Sequence, residues 1–186
     1  MRRLRAGNPG RVVEVWAEDE ARLGLKPVTR RVWWPKGCRP RSGGRTRYGW
    51  PYVYGFARPA TGETLTVVLP RVRVERMAGA LAAFAAHADP DGRKVLVVVG
   101  DNAGWHRASR PPIPANVRLH FLPPCTPELQ PVEPYWALVR EAVANETYDR
   151  LADLRRVVRR RCRRLAEDRA TVLGAIGFHW AVRLER

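Results

Sequence analysis

Lysine, cysteine and long apolar runs are scarce in this sequence, and each scarcity narrows the class of protein. Only three of the 34 basic residues are lysines, so arginine carries the basic character. The three cysteines, Cys38, Cys125 and Cys162, are far apart and form no CxxC pair, which argues against a zinc site or a disulfide framework. No apolar run approaches the ~20 residues of a membrane helix, and no signal peptide is recognisable. We therefore expect a soluble, intracellular protein with no membrane partner.

The excess of positive charge indicates a polyanionic partner. The chain has 186 residues, about the size of one domain, and carries 34 basic against 18 acidic side chains. Its net charge of +16 has to be solvated or paired, and nucleic acid is a natural partner for it. Arginine suits phosphate because its fixed fork of donors engages two oxygens at once.

Hydrophobic periodicity predicts strands and helices after a flexible basic lead-in at residues 1–10, with residues 11–186 forming one domain. We expect strands at residues 11–19, 52–57, 63–69, 93–99 and 117–122, a strand or hairpin around residues 31–34, and helices at residues 74–87 and 131–145. A last helix is expected to begin at Asp149, a good N-cap. This order predicts an α/β fold, namely a ribonuclease H-like mixed five-stranded sheet flanked by helices, with an extra basic C-terminal helix.

Three acids occupy positions at which this topology would bring them together. Asp19 ends the first predicted strand, Asp101 ends the apolar strand KVLVVV, and Glu133 opens a helix after the loop PPCTPELQP. Three neighbouring carboxylates repel one another, and Mg²⁺ or Mn²⁺ prefers such hard oxygen ligands. Two ions about 4 Å apart support in-line phosphoryl displacement. The acids are therefore candidate catalytic and metal-binding residues.

The same segments resemble the three signature blocks of the DDE transposases of the Tc-mariner superfamily, most closely its bacterial insertion-sequence branch. The blocks are EVWAEDEARLGL, VVVGDNAGWH and LPPCTPELQPVEPYW, and RRVWWPKGCRPR resembles the family's Trp-x-Pro-x-Gly segment. By this resemblance Asp19, Asp101 and Glu133 are the metal ligands, while Glu20, Asn102 and His106 are candidates for supporting positions around them.

The resemblance implies metal-dependent cleavage and strand transfer by a cut-and-paste transposase that uses two Mg²⁺ or Mn²⁺ ions. It also implies DNA partners (element ends and target), a homodimer and a bacterial cytoplasmic, nucleoid-associated location. Family members carry helix-turn-helix modules before the catalytic domain. This sequence starts almost at the first catalytic strand, so we expect that part to be lacking.

Other interpretations of these residues stay open. Asp19 is also typical of a solvated strand end, Asp101-Asn102 of a turn, and Glu133 of a helix N-terminal acid. His106 suits either a phosphate contact or a plain surface position. Aromatics such as Trp33, Trp34 and Trp50 favour packing over base stacking. The arginine-rich face of the last helix favours phosphate contact over simple solvation, and comprises Arg155, Arg156, Arg159, Arg160, Arg163 and Arg164.

Two other functions remain as alternatives to transposition. One is a ribonuclease H-like nuclease acting on hybrids or junctions. The other is a non-catalytic, basic nucleic-acid-binding relic, which would bind without metal and would be insensitive to loss of the three carboxylates.

Overall fold

A single mixed sheet organises the chain in the computed structural model, which describes residues 1–41, 49–69, 74–101 and 112–185. The sheet has the strand order β3-β2-β1-β4-β5. Its strands are β1 (Val12–Arg22), β2 (Tyr52–Arg58), β3 (Glu63–Leu69), β4 (Lys94–Gly100) and β5 (Val117–Phe121). The predicted five-stranded ribonuclease H-like sheet is confirmed.

The first three strands form an antiparallel meander, and the last two run parallel to β1. The β2–β3 connection is tight because Gly62 adopts a positive φ of 75°. A Cβ at this position would also collide with the carbonyl oxygen of Arg169. Helix α2 (Val74–Ala88) connects β3 to β4, as a parallel crossover requires.

Side chains of strand β1 alternate between the two faces of the sheet and enter three cores; Val13 and Val15 belong to one on the same face as Ala17. Trp16 faces Phe56 and Phe84 of α2, and Phe56 stacks on Phe84 with ring centroids 4.5 Å apart. Ala17 and Ala21 face the core that packs against helices α3 (Glu133–Arg140) and α4 (Leu151–Glu167). These cores are contiguous with β1, so this central strand is held rigidly on its two faces.

The C-terminal region differs from the single last helix that the sequence predicts. Three helices are present: α4, α5 (Arg169–Ile176) and α6 (His179–Glu185). Asp168 separates the first two, because its side chain accepts hydrogen bonds from Thr171 N at 3.1 Å and from Thr171 Oγ1 at 2.7 Å and so caps α5. Helix α4 also begins at Leu151, not at Asp149, and has no side-chain N-cap.

The predicted flexible lead-in contains a short helix, α1 (Arg2–Ala6). Met1 and Leu4 pack against a cluster that includes Trp180 of α6, and the Arg5 guanidinium donates to the carbonyl oxygen of Leu184 at 3.3 Å. Tertiary contacts therefore order a segment whose Gly and Pro residues indicate irregular backbone. Its separation from the domain of residues 11–186 stays a prediction.

Three further boundaries were wrong. Strand β1 continues to Arg22, so Asp19 lies inside the strand rather than at its end. Residues 31–34 form no strand. Just before them, Val28 forms an isolated β-bridge with Ala144. The backbone N–H of Arg30 also donates to Asn145 Oδ1 at 2.9 Å. The helix predicted for residues 131–145 is α3 followed by a 3₁₀ turn, Glu141–Val143. Within the described ranges, no helix is long and apolar enough to cross a membrane.

Candidate active site

Strands β1 and β4 bring the two predicted aspartates to the same edge of the sheet. Their parallel pairing ends at Ala17 and Val99, two residues before Asp19 on one strand and two residues before Asp101 on the other. Because side chains alternate along a strand, both aspartates continue the face of Ala17 and Val99. The predicted adjacency of the two strands is confirmed.

Glu133 reaches the same place from helix α3. It is the first residue of that helix, and it lines one open cleft of about 350 Å³ together with Asp19 and Asp101. The remaining wall is the loop from Leu122 to Pro127, together with Gln130. Three acids from distant parts of the chain thus share one cavity, although their assignment as catalytic residues stays a prediction.

The wall of the cleft is a tightly bonded loop. Thr126 Oγ1 donates to the carbonyl oxygen of Pro123 at 2.7 Å, and a 3₁₀ turn, Pro127–Leu129, follows. Cys125 takes a positive φ of 60°, a left-handed conformation that costs a non-glycine residue free energy. Gln130 is buried, and its Nε2 donates to the carbonyl oxygen of Glu18 at 3.0 Å. This last bond fixes the start of α3 to β1.

Among the described residues, the charges that act on the pKa of Asp19 are those of other acids. Burial raises the pKa of Asp19 to about 6. Hydrogen bonds from Trp136 and from the backbone of Glu20 lower this pKa, whereas the charges of Glu133 and Asp101 raise it further. Two of the three acids therefore act electrostatically on the third, as a shared site requires.

Glu18 and Glu20 lie on the opposite face of β1 from Asp19, as alternation along the strand dictates. Their register partners on β2 are Phe56 and Tyr54, which belong to the core against α2. Burial raises the pKa of both glutamates, and the charges of Asp19 and Asp101 raise it further; the charge of Glu18 also raises the pKa of Glu20. Neither glutamate lines the cleft, so the structure does not bring Glu20, expected at a supporting position, into it.

Two other predicted site residues, Asn102 and His106, lie outside the described residues. The arginine-rich face of α4 lies elsewhere, because α4 packs over β3 at the sheet edge, two strands from β1. Its predicted members are not equivalent: Arg156 pairs with Asp153 at 3.1 Å, and Arg155 donates to the carbonyl oxygen of Leu151 at 3.3 Å. The four exposed ones without these contacts are Arg159, Arg160, Arg163 and Arg164.

The three tryptophans discussed as packing or stacking residues are all exposed. Trp33 is 103% exposed, so it does not pack in a core of the described residues, and its packing against a partner stays a prediction. Trp34 is 56% exposed and Trp50 is 38% exposed, with the guanidinium of Arg22 lying 5.6 Å from the Trp50 ring centroid. Their role in base stacking stays a prediction.

Sequence reasoning missed Trp136, whose indole Nε1 donates to Asp19 Oδ2 at 2.7 Å. The signal was present, since Trp136 lies three residues after Glu133 and so on the same side of the helix. The sequence also does not reveal the role of Gln130, whose side chain connects the loop to β1.

The donor set fits a hard divalent cation, because carboxylate oxygens dominate the functional groups of the cleft. As the side chains stand, no cluster of three or more His, Cys, Asp or Glu residues in the described part of the chain has the arrangement of a preformed ion site. Glu133 is exposed at a helix start, so it is free to change rotamer. The carboxylates of the cleft therefore have the right chemistry for a divalent cation, and binding of the cation would have to draw their side chains together.

A mixed sheet with acids beside its two central parallel strands defines the ribonuclease H-like class of phosphoryl-transfer proteins. Within that class, the family described as DDE superfamily endonuclease matches residues 14–155. The chain belongs to this family and is thereby an enzyme of phosphoryl transfer on DNA. The three acids fall inside the matched range, and membership implies use of a divalent metal.

Comparisons with individual proteins agree with this assignment. The chain is 38% identical over 92 residues to the uncharacterized protein y4pE/y4sA of Sinorhizobium fredii (strain NBRC 101917 / NGR234), over 50% of this chain and 67% of that protein. Two structures of the mariner Mos1 paired end complex, with Mg and with Mn, match with TM-scores of 0.58 and 0.56. In both, identity is 15% over 89% of this chain.

The Mos1 strand transfer complex also matches, with a TM-score of 0.53 and 15% identity over 96% of this chain. At such identities the likeness establishes the fold. The chain spans 56% to 59% of the length of these Mos1 chains. The resemblance to DDE transposases inferred from the three sequence blocks is confirmed.

Proposed function

We propose that this chain is the catalytic domain of a cut-and-paste DNA transposase, which hydrolyses a phosphodiester at an element end and joins the freed 3′-OH to target DNA. The observation that carries the proposal is the convergence of Asp19, Asp101 and Glu133 on one open cleft. Similar chains support it, since Mos1 is a transposase solved as a paired-end complex with its left transposon end.

In this proposal Asp19, Asp101 and Glu133 hold Mg²⁺ or Mn²⁺, expected as two ions. When bound, the metal supplies activation of the attacking oxygen and stabilisation of the leaving oxygen. The protein contributes the placement of its ligands: Asp19 and Asp101 stand on neighbouring strands of a rigid sheet, whereas Glu133 stands on a helix that Gln130 joins to β1. The open cleft leaves room for a DNA backbone to approach the acids.

The exposed arginines of α4 are proposed to hold DNA beyond the scissile bond. Their helix lies over β3, two strand spacings or about 10 Å from β1 in the plane of the sheet. Contacts there go to phosphates and carry little sequence information. A homodimer acting on paired ends, with a helix-turn-helix part to recognise them, completes the proposal.

A nicking assay on supercoiled plasmid tests the catalytic proposal. Wild type and Asp101→Ala are compared with Mg²⁺, with Mn²⁺ and with EDTA, and an RNA–DNA hybrid is offered as a second substrate. We expect metal-dependent nicking of DNA that Asp101→Ala abolishes. Hydrolysis of RNA in the hybrid without DNA nicking would identify a ribonuclease H-like enzyme instead. DNA binding that is indifferent to metal and to the mutation, with no cleavage, would identify a binding relic.

The proposed contacts of the α4 arginines with DNA phosphates predict a loss of DNA affinity that is separate from any loss of cleavage. Replacing Arg159, Arg160, Arg163 and Arg164 by Gln should weaken DNA affinity about equally for every sequence, because phosphate contacts do not read bases. It should also flatten the dependence of log affinity on log salt by ~0.9 for each lost contact. The measurement is fluorescence anisotropy over a series of salt concentrations. An unchanged slope would mean that this face is only solvated.

A further inference from the structure

We propose that Trp136 is a positioning residue, which fixes the carboxylate of Asp19 in the orientation that binds the divalent cation. The inference rests on the proposed function and concerns a residue outside the three acids. Its basis is the hydrogen bond of 2.7 Å from Trp136 Nε1 to Asp19 Oδ2, which joins the helix of one acid to the strand of another.

The indole of Trp136 packs into a space on the sheet that the absence of a side chain at Gly55 leaves open. Asp19 pairs in register with Gly55 of β2, and a Cβ added at Gly55 would lie 2.6 Å from Cη2 of Trp136. Only glycine therefore admits the ring at the strand position beside Asp19. The ring is 1% exposed, so water does not compete for its N–H.

A second aromatic ring also contacts the indole. The Tyr135 ring lies edge-on to it, with centroids 5.4 Å apart and an interplanar angle of 60°. Tyr135 Oη is in turn hydrogen bonded to Thr66 Oγ1 of β3 at 3.0 Å. Packing on the sheet therefore fixes the direction of the indole N–H, and the hydrogen bond then fixes the orientation of the Asp19 carboxylate.

An indole suits this task because it is a donor only. It cannot ligate a cation itself, and one N–H occupies one of the roughly four lone-pair sites of a carboxylate, which leaves the others for metal. Carboxylate ligands in metalloproteins are commonly oriented by such a hydrogen bond, and its loss typically costs about 10- to 100-fold in metal affinity or activity.

Gln130 performs a different task in the same region. Its amide donates to the backbone carbonyl of Glu18, so it fixes the distance between the start of α3 and β1 without contacting a carboxylate oxygen of the cleft. Trp136, in contrast, donates its hydrogen bond to the carboxylate of Asp19 itself, so it can set the orientation of that carboxylate.

The chain supplies a matched control for the test. Trp16 is also fully buried, and its Nε1 donates to a carboxylate oxygen, Glu14 Oε2, at 3.0 Å. Trp136→Phe and Trp16→Phe thus remove the same kind of hydrogen bond from an equally buried indole; one bond goes to an acid that lines the cleft and the other to an acid that does not. Replacing Trp136 with β-(3-benzothienyl)alanine removes the N–H while keeping the ring volume, in case the Phe variant does not fold.

The experiment measures Mn²⁺ binding to the protein without DNA by electron paramagnetic resonance, and the Mn²⁺ dependence of plasmid nicking. Thermal unfolding monitors the fold. For both Trp136 variants we expect Mn²⁺ affinity to fall about 10- to 100-fold with the KM for DNA unchanged. Trp16→Phe should lower the melting temperature and leave Mn²⁺ binding as in wild type.

Two outcomes overturn the proposal. If the folded Trp136 variants bind Mn²⁺ and depend on it as wild type does, the indole positions nothing. If Trp16→Phe weakens Mn²⁺ binding equally, the effect is one of general stability. Asp101→Asn separates this failure from that of the function itself: loss of Mn²⁺ binding in Asp101→Asn with unaffected Trp136 variants refutes the positioning role alone, whereas wild-type behaviour of Asp101→Asn refutes the proposed site.

Discussion

Acidic side chains are buried at both ends of strand β1, but the charged groups that surround them differ. At the amino end, Glu14 is 3% exposed and is surrounded by donors: Arg58 at 3.0 Å, Lys94 at 2.9 Å and the indole N–H of Trp16 at 3.0 Å. Glu185 of α6 joins the same network by pairing with Arg58. Here a buried charge is matched by cations, as a structural role requires.

At the carboxyl end, no described cation is matched to Asp19 in this way. Asp19 receives hydrogen bonds from Trp136 and from the backbone of Glu20, while the charges acting on its pKa are those of other acids. Across the strand, Glu18 and Glu20 each bury one carboxylate oxygen, Oε1, that has no hydrogen-bond partner among the described residues.

A chain with a net charge of +16 has ample arginine to neutralise these groups, yet Asp19 is left repelled by its neighbours. An uncompensated acid in a cleft costs stability and is typical of a functional site. This contrast indicates a structural role for the acid at the amino end of β1 and supports the proposed catalytic role of Asp19 at the carboxyl end.

Removing an acid from the cleft should produce the largest effect. Glu133→Gln keeps the size of the side chain but removes a charge from the metal-binding set, so DNA cleavage should fall by about 10³-fold or more, equivalent to at least about 4 kcal/mol in the barrier. The measurement is the rate of plasmid nicking at saturating Mg²⁺.

Glu128→Gln is the control for that variant. Glu128 is an exposed acid in the 3₁₀ turn before α3 and does not line the cleft. We expect its cleavage rate to stay within a few-fold of wild type. Equal losses in the two variants would show that general negative charge, and not the cleft, is what matters.

Removing the acid at the other end should act on stability instead. Glu14→Gln leaves Arg58 and Lys94 without their shared partner in a buried network, which should lower the free energy of unfolding by about 3 kcal/mol. Urea denaturation measures the change. Glu141→Gln breaks exposed ion pairs with Arg30 and Arg161 and should cost about 0–1 kcal/mol. A Glu14→Gln variant as stable as Glu141→Gln would contradict the structural role of this network.

The smallest expected effect is a dependence of stability on pH at Asp19. Its folded pKa of about 6 lies above the ordinary 3.8, so the folded protein retains a proton that the unfolded chain has released between about pH 4 and pH 6. Stability from this group is therefore present below about pH 4 and is lost as pH rises to about 6, by about 2 kcal/mol after allowing for solvent in the cleft.

Asp19→Asn should remove this loss. With EDTA present, the free energy of unfolding is measured for wild type and Asp19→Asn at pH 4 and pH 7.5. The free energy of unfolding of Asp19→Asn, relative to that of wild type, should increase as pH rises. Parallel behaviour of the two proteins across this range would mean that Asp19 is not destabilised by its surroundings.

The sequence predicted the sheet well because each strand carries its own signal. Five runs of β-branched and apolar residues gave β1 to β5, and the position of Asp19 and Asp101 relative to two neighbouring parallel strands followed from topology. The end of β1 was misplaced, because the polar residues Glu18 to Arg22 suggest a loop although β2 pairs with them.

Features that depend on distant contacts were not predictable in this way. The bond from Trp136 to Asp19 requires the space left by Gly55, which belongs to another strand. Helix α1 forms where it packs near Trp180, far along the chain. Helix α5 has little apolar periodicity, so its helical pattern was not separable from that of α4.

The most direct test of the account compares the two ends of β1 in one assay. The Mg²⁺-dependent rate of plasmid nicking is measured for wild type, Asp19→Asn and Glu14→Gln, each normalised to its folded fraction. The account predicts that Asp19→Asn is folded but inactive, whereas Glu14→Gln is destabilised but cleaves at the wild-type rate per folded molecule. An active Asp19→Asn, or a folded and inactive Glu14→Gln, would contradict the assignment of chemistry to the carboxyl end of the strand.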